Sequence, residues 1–276
     1  MSPVVIRVTL VGLLVVFSVA IAGDDPRAHP GNAAAPALSV VTHTLRLEEE
    51  KVWVKVYQRP GSNLNFVNLH DNENTSAEAA KAYIRAHGGR LLELVHGRGR
   101  TVVIRRNGVL HYFDPNRMFT EKGLRQSLDY FHNLTEENVA LASGFAHKVA
   151  GLIGLKQNEA VIAVHNNTNG KLTIHDFKPG EWYGDDTRDV FISPAEDPDN
   201  FFFTNSPALY RALKTLRYNV ALMKLNPPDR GTLGNAVNNR GGIYVLVEAE
   251  HGHLIHQIAM LENLGSLLTG EVQAAN

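Results

Sequence analysis

The segment Gly242-Ile243-Tyr244-Val245-Leu246-Val247 carries no charged or amide side chain. A strand with one wet face alternates polar and apolar residues, so an unbroken run of this kind belongs to a strand covered on both faces. Ala160-Val161-Ile162-Ala163-Val164 has the same character. Strands of this type need helices on both sides of their sheet. Helical patterns at Glu121–Asn133, Glu136–Ile153, Pro207–Met223 and Leu254–Leu268 supply them. The expectation is an α/β fold, a single domain with a mixed, mostly parallel central sheet flanked by helices.

The first half of the chain adds shorter strands. Val52, Val54 and Val56 alternate with Lys51, Trp53, Lys55 and Tyr57, which predicts two strands from Thr42 to Tyr57 joined around Glu48-Glu49-Glu50. After a turn at Arg59-Pro60-Gly61-Ser62, Asn65–Leu69 reads as a strand that runs into His70. Thr75 or Ser76 is the expected N-cap of a helix continuing through Ala86. Strands follow at Arg90–Val95 and Thr101–Arg106. Asn107-Gly108 is a hairpin signal that returns the chain through Val109–Phe113 to Asp114.

Residues 3–22 are apolar almost throughout, with Arg7 as the one charge, and end in Ala20-Ile21-Ala22. This is the pattern of a secretory signal peptide, and the run from Val8 to Ala22 falls short of the roughly 20 residues that span a bilayer. The predicted organisation is a signal peptide at 1–22, a flexible Pro/Gly/Ala-rich leader at 23–38 and a folded domain at 39–276. Export to the periplasm or the medium follows, with no stable membrane span after cleavage. The chain has no Cys, so its core must stabilise it without disulfides. With 27 basic and 28 acidic residues, nothing draws it to nucleic acid or anionic lipid. The expected partner is a small molecule held in a cleft.

Four polar segments interrupt this pattern, three of them at strand ends, where α/β sheets place their sites. A His and a Glu three residues apart, His70 and Glu73, can converge on one metal ion, and His165 after the Ala160–Val164 strand supplies a third ligand. Three protein ligands with an open fourth position make a catalytic zinc site. Asn116 and Arg117 offer a fork of donors matched to a carboxylate. Glu248 ends the most apolar strand, where burial raises a carboxyl pKa toward the range of a general base. Glu250 points to the same side of that strand and is the alternative base.

In its His70-x-x-Glu73 pair, its Asp114-x-Asn116-Arg117 segment, its single His165 after a strand and its Glu248 on a late strand, the sequence resembles the zinc carboxypeptidases with their aspartoacylase and succinylglutamate desuccinylase branch. The resemblance spans about residues 65–250 and implies one zinc per chain on His70, Glu73 and His165. It further implies a carboxylate clamp at Asn116 and Arg117, and Glu248 as the base that moves a proton from water to the leaving amine. The substrate so implied is a small peptide or an N-acyl amino acid, cleaved next to a free carboxylate. The family's additional oxyanion-stabilising Arg falls to Arg105 or Arg106. Its substrate-contacting Tyr has two candidates, Tyr218 and Tyr244, and stays unassigned.

Other chemistries find no support. There is no His-Glu-x-x-His pattern, no Gly-x-Ser-x-Gly elbow and no thiol. Gly97-Arg98-Gly99-Arg100 reads as a basic turn, and His251, His253 and His256 as a polar helix start. The alternative to an enzyme is an exported protein that binds carboxylate-bearing peptides without turning them over.

Overall fold

A computed structural model describes residues 37–97, 99–157 and 159–270. The signal-peptide and leader segments lie outside them, apart from Ala37 and Leu38. In chain order the elements are β1 (Ser39–Leu47), β2 (Glu50–Arg59), β3 (Asn65–Asn68), α1 (Asn74–His87), β4 (Gly89–Val95), β5 (Val102–Arg106), β6 (Val109–Phe113), α2 (Glu121–Tyr130) and α3 (Glu136–Ile153). There follow β7 (Ala160–Asn167), β8 (Thr187–Phe191), β9 (Phe201–Thr204), α4 (Pro207–Thr215), β10 (Asn219–Met223), α5 (Leu233–Asn239), β11 (Ile243–Glu250) and α6 (Leu254–Thr269).

Among the described residues nine strands form one sheet in the order β1-β2-β4-β3-β7-β11-β9-β10-β8, and β5 pairs with β6 in a separate hairpin. The central strands β4, β3, β7 and β11 run parallel to one another. The pairings β1–β2, β2–β4, β11–β9 and β10–β8 are antiparallel, and β9–β10 is parallel. The mixed sheet with a parallel centre is the one expected from the apolar runs, since those runs are β7 and β11.

Period-two alternation splits the core into two layers. On one face Phe66, Ile162, Val164, Val245 and Val247 pack against α1, α4 and α6. On the other, Val67, Val161, Ala163 and Tyr244 pack against α2, α3 and α5. Both faces of β7 and β11 are covered, so these strands needed no polar side until they reach His165 and Glu248. Each fully buried Phe or Leu contributes ~1.5–3 kcal/mol. Helices α1 and α6 approach closely where Gly265 faces Tyr83, and a Cβ there would run into the Tyr83 hydroxyl.

Several elements differ from expectation. The predicted helix from Pro207 to Met223 is α4 followed by β10. Arg217 has φ of 67°, which breaks the helix, and all five residues of β10 are buried, leaving no wet face for a helix. Strands β8 and β9 and the short α5 were not expected from the sequence. Helix α1 starts at Asn74 with Glu73 at its N-cap, earlier than a Thr75 or Ser76 cap would place it, and the Glu73 side chain, engaged with His70, makes no capping bond. Ser76 instead receives support from β7, its backbone N–H donating to Asn166 Oδ1 at 2.6 Å. Finally β7 and β11 run on to Asn167 and Glu250, so His165 and Glu248 lie inside their strands rather than past them.

Candidate metal centre

His70 leaves β3 in a tight turn, closed by the Glu73 N–H donating to the His70 carbonyl at 3.1 Å. That turn brings the Glu73 carboxylate back over the His70 ring, with Oε1 2.8 Å from His70 Nδ1. The other oxygen, Oε2, lies 2.7 Å from Nδ1 of His165 on the neighbouring strand β7. One ligand atom from each of His70, Glu73 and His165 falls within 4.8 Å of the others, and all three residues are buried. Predicted from a spacing and a distant His, the trio is brought together by the β3–β7 pairing.

The opposite nitrogen of His70, Nε2, lies 2.9 Å from Asp114 Oδ1. Asp114 is itself fixed, its N–H donating to Ser127 Oγ at 2.8 Å and its Oδ1 accepting the Asn116 N–H at 2.8 Å. A carboxylate behind a His sets the tautomer: with the proton on Nε2 toward Asp114, Nδ1 carries the lone pair. That lone pair then faces the Glu73 oxygen at hydrogen-bond distance, a contact that needs a proton or a cation between the two. Two imidazoles and a carboxylate in this arrangement suit zinc. The same logic governs the charges. Burial opposes ionisation of Glu73, but His70 and His165 overcome it and hold its carboxyl well below the usual range. Asp114 is likewise driven down against its burial, by His70 and then Arg100. Burial works against a proton on His70 as well, and the carboxylates of Glu73 and Asp114 outweigh it and raise its pKa.

His165 is held from behind, its carbonyl accepting from Gln257 Nε2 at 2.9 Å, and Gln257 in turn accepts from Asn166 at 2.9 Å. Across the strand pair, Glu248 of β11 is in register with His165 of β7. Glu248 is 3% exposed. Burial first, then the negative charge of Glu73, pushes its carboxyl well above the ordinary value, while Arg100 pulls the other way.

A cavity of about 580 Å³ opens over this cluster, lined by Glu73, His165 and Glu248 together with Asn116, Arg117 and Arg100. Asn116 Oδ1 accepts the Leu233 N–H at 3.0 Å, which leaves its NH₂ group as the donor. Arg117 donates through Nη2 to the Tyr183 hydroxyl at 3.4 Å, and its buried Nη1 has no hydrogen-bond partner among the described residues. The loop beneath is tightly built. Gly231 has φ of 71°, and a Cβ there would collide with the Arg117 carbonyl oxygen. Phe119 N–H donates to the Gly231 carbonyl at 3.0 Å, so the Arg117 turn and the Gly231 turn hold each other.

Two sequence expectations are corrected. Arg105 and Arg106 do not line the cavity: Arg105 pairs with Glu50 at 2.6 Å and Arg106 with Glu137. The arginine that does reach it is Arg100, from the segment read as a basic turn, at 3.1 Å from Glu73 Oε1 and 3.4 Å from Asp114 Oδ2. A glycine-flanked loop has no periodicity from which a side-chain direction can be read. Of the paired acids on β11, Glu250 does not line the cavity and is bonded by Asn169 at 3.1 Å. Of the two tyrosines, Tyr244 lines the cavity, whereas Tyr218 packs against Phe202 and accepts from Asn263 at 2.9 Å. Trp182, Tyr183, Asp186 and Arg230, which the sequence did not single out, also line it. His256 pairs with Glu196 at 2.8 Å, and Asp197, Glu250 and His253 form a second, more exposed group of possible ligands.

No protein-family profile matches the chain, and no curated protein matches it in sequence. The chain is similar to solved structures of a candidate metallopeptidase from Shewanella denitrificans, at 12% identity over 82% of this chain and 81% of that one with a TM-score of 0.41. A candidate metallopeptidase from Shewanella baltica matches at 13% identity over 86% and 87% of the two chains, with a TM-score of 0.40. The succinylglutamate desuccinylase from Chromobacterium violaceum matches at 13% identity over 79% and 66%, with a TM-score of 0.43.

Proposed function

We propose that the chain is an exported, zinc-dependent amide hydrolase that cleaves a peptide or N-acyl amino acid next to a free carboxylate. The observation that carries this reading is that one ligand atom from each of His70, Glu73 and His165 lies within 4.8 Å of the others, with Glu248 in register beside His165. Those three residues would hold the ion, with Asp114 orienting His70. Zinc bound there supplies a Lewis acid for the scissile carbonyl and makes its water acidic enough to ionise near neutral pH.

The protein groups account for the remaining steps. Asn116 and Arg117 hold the substrate carboxylate, Arg117 through the guanidinium nitrogen that has no hydrogen-bond partner among the described residues. Glu248 accepts a proton from the attacking water and returns it to the amine nitrogen as the C–N bond breaks, so one water is consumed and an acid and an amine are released. Burial raises its carboxyl above the ordinary value, toward the range in which one group can both take up and release a proton. Arg100, on the cavity rim, is the side chain positioned to donate to the developing oxyanion in place of Arg105 or Arg106. Export rests on the signal-peptide pattern of residues 1–22. Among the described residues no helix is long and apolar enough to cross a membrane.

The test is hydrolysis of N-acyl amino acids and dipeptides with free carboxylates by the zinc-loaded protein, with and without a chelator. Chelator-sensitive turnover that Glu248→Gln abolishes is expected. Binding of the same compounds without turnover would favour the non-catalytic binder.

A further inference from the structure

Beyond the metal centre, the carboxyl ends of β7 and β11 gather a second set of ligand-bearing side chains. Asn167 and Glu250 lie two positions past His165 and Glu248, in register with each other, and leave the sheet on the same face. They stand ~7 Å further along the strands than the proposed ligand and base. One ligand atom from each of Asp197, Glu250 and His253 lies within 4.8 Å of the others. Asp199 brings a third carboxylate: it is 4% exposed, and its N–H donates to Asp197 Oδ1 at 2.9 Å.

Among the described residues no Lys or Arg forms an ion pair with Asp197, Asp199 or Glu250. The ionisable partner that approaches is His253, whose Nε2 lies 3.7 Å from Glu250 Oε2. Two neutral donors reach the acids from the β7 exit, the Gly170 N–H to Asp199 Oδ1 at 2.9 Å and Asn169 Nδ2 to Glu250 Oε2 at 3.1 Å. Against the Gly170 N–H, burial first and then Asp197 and Glu250 raise the Asp199 carboxyl above its ordinary value. Carboxylates so placed repel one another unless a cation lies among them.

An independent sign comes from Asn167, which is 8% exposed. Its Nδ2 donates to the Leu172 carbonyl at 2.6 Å and the Asp199 carbonyl at 3.0 Å, so both amide hydrogens are committed. Those bonds also fix the amide's orientation, since the reverse placement would set an oxygen against two carbonyls. Oδ1 is buried and has no hydrogen-bond partner among the described residues. Bonded to the Asp199 backbone and in register with Glu250, the amide lies between β11 and the loop that carries Asp197. A buried acceptor among carboxylates is satisfied by a cation, not by a further acceptor.

We propose that Asp197, Glu250 and His253, with the Asn167 amide oxygen, form a second divalent-cation site, separate from the His70, Glu73 and His165 centre. Carboxylate and carbonyl oxygens joined by an imidazole suit manganese or zinc rather than calcium, which takes oxygen ligands. This set is partly exposed and exchanges its ion with the medium, whereas the buried trio retains its own. A washed protein therefore holds the inner ion alone. The outer ion ties the ends of β7 and β11 to the Asp197 loop and to His253 at the start of α6, and its binding does not depend on whether the inner centre is catalytic.

The experiment titrates Mn²⁺ into zinc-loaded protein washed free of excess metal and counts the bound ion by electron paramagnetic resonance. Manganese binds a given site more weakly than zinc and so leaves the inner zinc in place. About one Mn²⁺ per chain is expected, with affinity reduced about tenfold or more by Glu250→Gln and by Asp197→Asn. His253→Ala should weaken binding and remove the nitrogen coupling from the spin-echo spectrum of the bound ion. This exposed position carries the test if either acid variant loses the wild-type far-ultraviolet circular dichroism spectrum. His70→Ala, which disables the inner centre, should keep the Mn²⁺. No bound Mn²⁺ in the wild type, or binding that Glu250→Gln and His253→Ala leave unchanged, overturns the proposal. Binding lost in His70→Ala and kept in Glu250→Gln assigns the ion to the inner centre and overturns it as well.

Discussion

Glu248 stands opposite His165 in the parallel pairing of β11 with β7, and the two side chains leave the sheet on the same face. Adjacent strands lie ~4.8 Å apart, so a proposed metal ligand and a proposed base are held side by side by backbone hydrogen bonds rather than by a mobile loop. If Glu248 is the proton carrier, Glu248→Gln should lower kcat ~10²–10⁴-fold while leaving metal content unchanged. Activity assays and elemental analysis on the same preparation check this. Retained activity would move the base elsewhere.

The raised carboxyl of Glu248 also bears on stability. In the metal-free protein, burial and then Glu73 keep Glu248 protonated at pH values where an unfolded chain has already ionised it. A group whose folded pKa is raised contributes stability that is fully present below the unfolded value, about 4.3 for Glu, and is lost as pH rises through the folded one. Glu248→Gln carries no such loss. The difference in Tm between metal-free variant and metal-free wild type should therefore shift in the variant's favour from pH 4 to pH 8. A constant difference would contradict it.

Asp114 touches no substrate in this account and acts through His70, from which it lies 2.9 Å away. Asp114→Asn keeps the shape and removes the charge that orients the ring, so zinc affinity should fall ~10–100-fold. Competition against a chelator of known affinity measures this directly. Unchanged affinity would mean that the turn alone positions His70.

Arg117→Ala should raise KM for carboxylate-bearing substrates and leave the corresponding primary amides, which lack the carboxylate, little affected. Charge-assisted bonds of this type are the stronger ones, and a rise of 10-fold or more is expected. Equal effects on both substrate types would assign Arg117 to the loop it shares with Gly231.

Much of this was legible before the structure. The unbroken apolar runs of β7 and β11 announced a two-sided sheet, and the polar residues that end those runs, His165 and Glu248, line the cavity of the proposed site. The hairpin signal was also readable, since Asn107-Gly108 turns β5 into β6 with φ of 50° and 76°, and α3 spans the expected Glu136–Ile153, whereas the cap expected at Thr75 or Ser76 falls at Glu73. What failed was context. Residues 219–223 were absorbed into a helix because an apolar run has no intrinsic period, and only their complete burial between β9 and β8 makes them a strand. Arg100 and Tyr183 come from irregular segments, where direction is set by tertiary contacts and not by spacing. Arg105 and Arg106 are candidates only through the family resemblance, and Glu50 and Glu137 engage both.

The central claim is that His70, Glu73 and His165 hold a metal ion. Its most direct test is the metal content of the purified mature protein by elemental mass spectrometry, compared with His70→Ala and His165→Ala. The expected result is about one zinc per chain in the wild type and its loss in both variants, each with an unchanged far-ultraviolet circular dichroism spectrum. A wild type that holds no metal after zinc is supplied and the excess removed, or variants that keep it, would contradict the account.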